Sequence, residues 1–203
     1  MDAYSPTPRT QLKRLPTRGS HDRAVVHAIL DEAPLCHVGF VRGGSPVVIP
    51  TTHWRMGEEL FIHMANKSHM MRELLDGAEA CVTVSLIDGW VLARSAFHHS
   101  VNYRSVVVFG RPRLVTDAAE KRAAFDALIE KIAPGRSAEV RPPNEVEMRA
   151  TAVLAFPLDE VSAKTRSGPP KDDAEDMTVP VWAGVVPLSL AAGTPIPDET
   201  AAE

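Results

Sequence analysis

Polar and aromatic side chains that could carry out proton or electron chemistry are concentrated in residues 90–110, WVLARSAFHHSVNYRSVVVFG. Two β-type runs, Trp90–Ala93 and Arg104–Phe109, flank them. The side chains are Arg94, Ser95, His98, His99, Ser100, Asn102 and Tyr103. Donors and acceptors between apolar strands cost free energy unless they are paired or bind something. We therefore expect a reaction site, with Arg94, His99 and Tyr103 facing the substrate; the alternative is a polar loop.

The adjacent histidines His98 and His99 restrict the kind of site. Neighbouring side chains on an extended chain point to opposite faces, so both cannot easily ligate one ion. No HxxxH or CxxC pattern accompanies them, and we predict no metal site. His99 is expected to donate a proton to a reduced substrate, and binding of a flavin or a heme stays open.

A phosphate site is predicted at Lys67, Ser68 and His69, where a helix with one apolar face begins. A helix N-terminus offers free N–H groups and the positive end of the helix dipole. An ammonium, a hydroxyl and an imidazole beside them suit an anionic group. The alternative is an ordinary capped surface helix with a solvated lysine.

Two other segments suit a planar ligand. In PVVIPTT, Val48 and Ile49 are typical of a buried strand, but Pro50 cannot donate to a ladder, which predicts an edge or a bulge at Pro50 and Thr51. The backbone groups there would face a planar ligand ring. The alternative is an ordinary edge strand of the barrel. Trp182 lies in the apolar segment VPVWAGVVPL. We expect it to cover a planar ring as an aromatic lid; the alternative is that it anchors the C-terminal tail to the barrel.

Short β-type runs separated by glycine turns favour a mainly β protein, a split antiparallel barrel with peripheral helices. The turns are expected at Gly43-Gly44, at Gly57 and at Asp88-Gly89. Ser20 or Asp22 would cap a first helix that ends before Pro34. A helix from Asp117 to Ile132 should bury a stripe consisting of Phe125, Leu128, Ile129 and Ile132.

Composition limits the partners and the domain organisation. The chain has 203 residues and a net charge of −4, and no apolar run is long enough for a membrane helix, so neither nucleic acid nor a membrane is expected. Cys36 and Cys81 have apolar neighbours and are expected as free thiols in the cytoplasm. We expect a flexible arm over residues 1–15, a barrel domain over 16–165, and an extended arm over 166–203 anchored at 179–188.

The order of these motifs resembles the FMN-binding split-barrel proteins related to pyridoxamine 5'-phosphate oxidase, most closely the nitroimidazole-resistance or flavin-nucleotide-binding branch. The resemblance implies a homodimer with FMN in a groove between subunits. It implies that the backbone at Val48, Ile49, Pro50 and Thr51 meets the flavin ring, and that Ser68 and His69 bind the phosphate. It further implies that Ser105 contacts the flavin and that Trp182 approaches the ring from the partner.

The resemblance also has a departure, because the family usually has arginine where this chain has His69. A histidine is mostly neutral at pH 7, and Lys67 is expected to compensate. The predicted function is an FMN-dependent oxidoreductase acting on a small molecule. The alternative is a non-catalytic flavin or heme carrier or sensor, in which His63 or His99 would be the axial ligand.

Overall fold

The structure of the protein is a computed structural model that describes residues 2–198 and divides the chain into two compact units. The first unit contains the chain up to Leu86 together with Tyr103–Arg166. The second contains Ile87–Asn102 and the chain from Ser167 onwards. This division differs from the predicted domain limits because it groups residues 87–102 with the C-terminal segment.

Antiparallel strands with peripheral helices dominate the described chain, which confirms the predicted fold class. The strands are β1 (Gly19–Ser20), β2 (Leu35–Arg42), β3 (Ser45–Met56), β4 (Glu59–Ala65), β5 (Ala80–Leu92), β6 (Ser100–Gly110), β7 (Arg113–Leu114), β8 (Thr151–Pro157), β9 (Glu160–Arg166) and β10 (Gly184–Pro187). The α-helices are α1 (Arg23–Glu32), α2 (His69–Leu75), α3 (Ala118–Ile132) and α4 (Glu145–Ala150). Short 3-10 helices cover Pro16–Arg18, Ala96–His98, Arg136–Ala138 and Ala174–Thr178. None of the helices within residues 2–198 has the length and apolar character that a membrane span requires.

Strand β3 changes partner along its length, and this opens the sheet. The strands follow the order β1–β9–β6–β5–β2–β3–β4–β8–β7. Residues 45–52 of β3 pair with β2, whereas residues 53–56 pair with β4. Among the described strands, no second neighbour is recorded for residues 45–52. One edge of this half-strand therefore keeps backbone donors and acceptors that a ligand can use.

The first unit has two apolar cores. The larger lies under α1 and α2 and includes Val26, Leu30, Leu74 and Phe156. The smaller contains Trp54, Phe61, Ala124, Leu128 and Val153, and joins α3 to the sheet. The predicted α3 stripe is shifted, since Ala124 and Leu128 are its buried members and Ile132 is 65% exposed. A small alanine allows α3 to approach Trp54 and Phe61, which the helical pattern alone does not reveal.

The predicted helix starts are confirmed. Asp22 accepts hydrogen bonds from the backbone N–H groups of Ala24 and Val25, and the α1 helix ends before Pro34. Asp117 accepts from the N–H of Glu120 at 2.8 Å. The carboxylate of Glu120 accepts a hydrogen bond from the guanidinium Nη1 of Arg113 at 3.2 Å. The sequence prediction missed α4, although Asn144 and Glu147 form a full capping box.

Two predicted strand limits are wrong. The β-type pattern predicts one continuous strand over residues 104–115, but the strand ends at Gly110, whose φ is 157°, and Pro112 lies in the gap before β7. Asp88-Gly89 does not turn, since β5 runs through it and Gly89 lies opposite Pro187 of β10. A Cβ on Gly89 would be 2.9 Å from the carbonyl oxygen of Val186. The glycine therefore serves the close approach of two backbones.

The segment expected as a flexible arm, residues 1–15, is packed at two of its side chains. Tyr4 is 6% exposed and Thr10 is 1% exposed. The hydroxyl of Tyr4 donates to Glu58 at 2.7 Å, and the guanidinium of Arg23 lies 4.3 Å from its ring centroid. No local sequence pattern indicates these partners, because they lie on α1 and at the β3–β4 turn. Both cysteines are free, as expected, and burial raises the pKa of Cys36 to about 12.

Candidate functional site

The open edge of β3 carries the residues predicted to meet a flavin ring. Val48 is 64% exposed and Pro50 is also exposed, whereas Ile49 and Thr51 are half-buried. The expectation of a buried strand is therefore wrong for Val48. The prediction of an edge at Pro50 agrees with the one-sided pairing with β2. Alternate backbone groups along this edge point away from β2, as a planar ligand would need.

The start of α2 gathers cations at the predicted phosphate site. Ser68 caps the helix by accepting from the N–H of Met71 at 3.1 Å, and Lys67 is exposed. Nδ1 of His69 lies 2.8 Å from a guanidinium nitrogen of Arg72. The sequence prediction missed Arg72, although a residue three positions after His69 on a helix lies on the same face. Arg72 places a guanidinium one helical turn after position 69, where the resemblance implies an arginine.

His63 lies where β3 and β4 separate, one residue beyond the last pair, His53 with Ile62. Its ring centroid is 6.0 Å from that of Trp54. Its Nδ1 is buried without a hydrogen-bond partner. Burial lowers the pKa of His63, which favours the neutral imidazole. A neutral, uncommitted imidazole is the form that binds a metal centre such as heme iron.

A second histidine, His53, is buried and was not predicted. It is 1% exposed, and its Nε2 lies 2.9 Å from the carbonyl oxygen of Leu30. Burial, and then the charge of Lys131, lower the pKa of His53 to about 4. A histidine beside a tryptophan in β3 gives no sequence signal of this, because its partners come from α1 and α3.

Strand β6 contributes Tyr103 and Ser105 to one face, as their spacing predicts. Tyr103 is half-buried and lies opposite Arg166 of β9. The hydroxyl of Ser105 donates to the carbonyl oxygen of Lys164 at 3.2 Å, which leaves its lone pairs for a ligand donor. Arg104, which lies between them, is held by Glu32 at 2.7 Å.

In the second unit, Arg94 is committed to Asp172. The Arg94 backbone N–H and guanidinium donate to the Asp172 carboxylate at 2.8 and 2.9 Å, and that side chain is 2% exposed. Burial alone would raise the pKa of Asp172, but hydrogen bonds from Arg94 and from the Ser95 backbone hold it below its usual value. Arg94 therefore joins the segment after β5 to the segment that contains Asp172.

The two histidines of this loop have different partners. The Nδ1 of His98 lies 2.8 Å from the hydroxyl of Ser95, and its Nε2 lies 3.8 Å from Asp173. Nδ1–H of His99 donates to the carbonyl oxygen of Ser95 at 3.0 Å, which leaves Nε2 as the lone-pair nitrogen of the neutral ring. His98 also lies close to Asp172 and Asp176, but Arg94 already neutralises Asp172.

Trp182 is 66% exposed, and its ring packs against Gly184 at the start of β10. A Cβ on Gly184 would be 2.8 Å from the indole ring. The glycine therefore fixes one side of the indole and leaves the remainder open. This suits the predicted lid, which stays a prediction.

The predicted residues divide between the units. The first unit contains His63, Tyr103, Ser105, the β3 edge at 48–51 and the predicted phosphate-binding residues Lys67, Ser68 and His69. The second unit contains Arg94, His99 and Trp182.

A family model described as pyridoxamine 5'-phosphate oxidase matches residues 22–165. A search of curated proteins gives no match. The structure of the flavocytochrome Anf3 from Azotobacter vinelandii is 39% identical with a TM-score of 0.91, and the alignment covers 97% of this chain and 92% of that chain.

The FAD and heme binding protein from Mycobacterium smegmatis is 40% identical with a TM-score of 0.87, and 91% of each chain is covered. A putative 5-nitroimidazole antibiotic resistance protein from Bacteroides thetaiotaomicron is 22% identical with a TM-score of 0.61, covering 72% of this chain and 85% of that one, which shows the shared fold. The predicted split barrel is thereby confirmed. Its family is also shown, because the matched residues make up more than half of the sequence: the chain belongs to the pyridoxamine 5'-phosphate oxidase family.

Proposed function

We propose that the protein is a redox protein that binds a flavin together with heme. The observation that carries this proposal is the similarity, over nine tenths of each chain, to a flavocytochrome and to an FAD and heme binding protein. A bound flavin supplies one- and two-electron transfer, and a heme supplies one-electron transfer. The flavin is FAD in this proposal, rather than the FMN expected from the sequence.

The first unit has groups that fit a flavin. The open backbone edge at 48–51 offers donors and acceptors to the ring, and Ser105 offers a hydroxyl. Lys67 and Arg72 offer positive charge suited to flavin phosphates, and His69 accepts a hydrogen bond from Arg72. Because Arg72 is always charged, it offsets the loss of an arginine at position 69.

His63 fits a heme iron. Its Nδ1 is buried and unpaired, its pKa is lowered by burial, and no protein hydrogen bond to the ring is found among the described residues. An axial ligand must be a neutral imidazole, and this environment keeps His63 neutral at pH 7. His99 is the alternative ligand, through its Nε2.

A second candidate function is a flavin-dependent oxidoreductase acting on a small molecule. Arg94, His99 and Tyr103 would face the substrate. The observation that favours it is the fixed ring of His99, whose Nδ1–H is used by the backbone and whose Nε2 can exchange a proton. Reduction by a nicotinamide cofactor, followed by turnover of an added substrate, distinguishes this enzyme from a carrier.

The proposal includes a homodimer with the cofactor site at its interface, in the cytoplasm, where free thiols are stable. The open β3 edge and the exposed Val48 in the first unit support a partner. So do Trp90 and Trp182 in the second unit, at 50% and 66% exposure. Exposed apolar surface and unpaired strand edges are commonly closed by a second copy.

The test begins with the spectrum of the purified protein. We expect a flavin band and a heme Soret band, and chromatography of the released flavin should identify FAD. His63→Ala should remove the Soret band and retain the flavin, whereas His99→Ala should retain both. A protein that takes up flavin but no added heme would contradict the heme half of the proposal. Loss of the Soret band in His99→Ala alone would transfer the axial role to His99.

A further inference from the structure

Lys131 lies in the last turn of α3 with its side chain half-buried. Its Nζ donates to the carbonyl oxygen of Leu30 at 2.9 Å. No carboxylate oxygen of the described residues is recorded within 4 Å of Nζ. A half-buried ammonium without an ion pair is costly, so this position favours an amine that can lose its proton.

The contact with His53 also favours the neutral amine of Lys131. Nε2 of His53 lies 3.3 Å from Nζ and 2.9 Å from the carbonyl oxygen of Leu30. Because a carbonyl can only accept, His53 carries its proton on Nε2 and uses that N–H for Leu30, so Nε2 has no lone pair that could accept from Lys131. His53 therefore offers no acceptor to an ammonium at Lys131 and does not stabilise its charged form.

The charged and titratable groups around Lys131 come from three elements. Asp31 of α1 and Cys36 of β2 raise its pKa, and Arg55 of β3 lowers it. Arg55 also binds both carboxylate oxygens of Asp31, at 3.0 and 2.7 Å, so Arg55 largely neutralises that carboxylate. Burial is the dominant cause, and the pKa of Lys131 falls to about 8.

The same amine borders a surface cleft of about 290 Å³, lined by Asp31, Trp54, Arg55, Ala127 and Lys131. This volume is at the lower end for ligand pockets and suits a molecule of a few heavy atoms. Asp31 and Arg55 compensate each other's charge, which suits an uncharged ligand. None of the residues assigned to flavin or heme lines this cleft.

We propose that Lys131 is a covalent modification site, at which its neutral amine condenses with a short uncharged aldehyde that enters the cleft. The amine lone pair attacks the carbonyl carbon, so that a C–N bond forms, the C=O π bond breaks, and the oxygen takes up one of the two amine protons. The resulting hydroxyl group leaves with the second amine proton as water, and a C=N bond remains. No oxidant or reductant takes part. A buried lysine with its proton removed is the usual form of an imine-forming amine.

The experiment treats the full-length protein with limiting propionaldehyde and sodium cyanoborohydride, which fixes the imine as a secondary amine. Peptide mass spectrometry then gives the labelling rate of each lysine. Lys131 should be labelled about tenfold faster than the exposed Lys67 at pH 7.5, because far more of its amine is neutral. Its rate should level off above a pH of about 9, once nearly all of its amine is neutral.

Two variants keep the test independent of folding. Lys131→Arg retains the positive charge and removes the amine, so fast labelling should disappear while the thermal melting curve remains. Ala127→Leu fills the cleft wall and should slow Lys131 labelling without changing that of Lys67. Equal rates for Lys131 and Lys67 at pH 7.5, or a Lys131 rate that keeps rising steeply beyond a pH of about 9, would overturn the proposal.

Discussion

The two units differ in how they bury apolar side chains. The first unit closes two cores, with Trp54, Phe61 and Phe156 at 2% exposure or less. The second unit contributes no member to either core, and eleven of the twenty large apolar side chains exposed among residues 2–198 belong to it. Phe97 is 89% exposed and Leu190 is 83% exposed. The first unit therefore has the means to be stable by itself, whereas the second has apolar surface to offer a partner.

The largest effect on the free energy of unfolding is expected when one phenylalanine of each unit is replaced by alanine. Phe156→Ala should lower the free energy of unfolding by about 3–5 kcal/mol, because it leaves a cavity in a closed core. Phe97→Ala should change it by less than about 0.5 kcal/mol. Urea unfolding of the two variants measures both. Equal losses would mean that Phe97 is covered in solution.

A pH titration sharpens the description of the first unit. The folded pKa of His53 is about 4, below the ordinary histidine value of 6.5, so the unfolded chain binds this proton more readily. The contribution of His53 is therefore complete above pH 6.5 and is lost as pH falls towards 4, by up to about 3 kcal/mol. His53→Phe should remove this part of the slope. Unfolding free energies across that range that keep the same slope in both proteins would contradict the assignment.

Cofactor affinity tests which unit holds the flavin phosphates. Arg72→Ala should weaken flavin binding by about 1.5–3 kcal/mol, the range of one charge-assisted hydrogen bond. Lys171→Ala, which removes an exposed cation of the second unit, is the control and should leave the affinity unchanged. Fluorescence titration of the apoprotein gives both values. The reverse ranking would place the phosphates on the second unit.

The smallest expected effect concerns self-association. Trp90→Glu puts a charge on a half-exposed apolar side chain of the second unit and should raise the dimer dissociation constant by about tenfold or more. Ile132→Glu, at a 65% exposed position of the first unit, is the matched control. Light scattering over a dilution series measures the change. A greater loss of dimer in the control would reverse the assignment of the interface.

Features set by neighbours in the chain were predictable from the sequence. The caps Asp22, Ser68 and Asp117 form as their local patterns indicate. Pro50 correctly indicated an open edge, because a missing donor is a property of the residue itself.

Features that depend on distant segments were not predictable. Gly89 was expected in a turn because no nearby residue indicates that β10 pairs there. The backbone of β10 comes so close that position 89 has no room for a side chain. The same holds for His53, whose partners Leu30 and Lys131 come from α1 and α3. Tyr4 gave no local sign that Glu58 and Arg23 would hold it.

The change of partner within β3 limits how the chain can vary in length. Residues 45–52 keep register with β2 while residues 53–56 keep register with β4, without any break in the strand. Because side chains alternate between faces, one inserted or deleted residue would invert one of the two halves. Relatives should therefore keep the length of β3 constant, and differences in length should collect at the Gly43-Gly44 hairpin, where no Cβ contact restricts the turn.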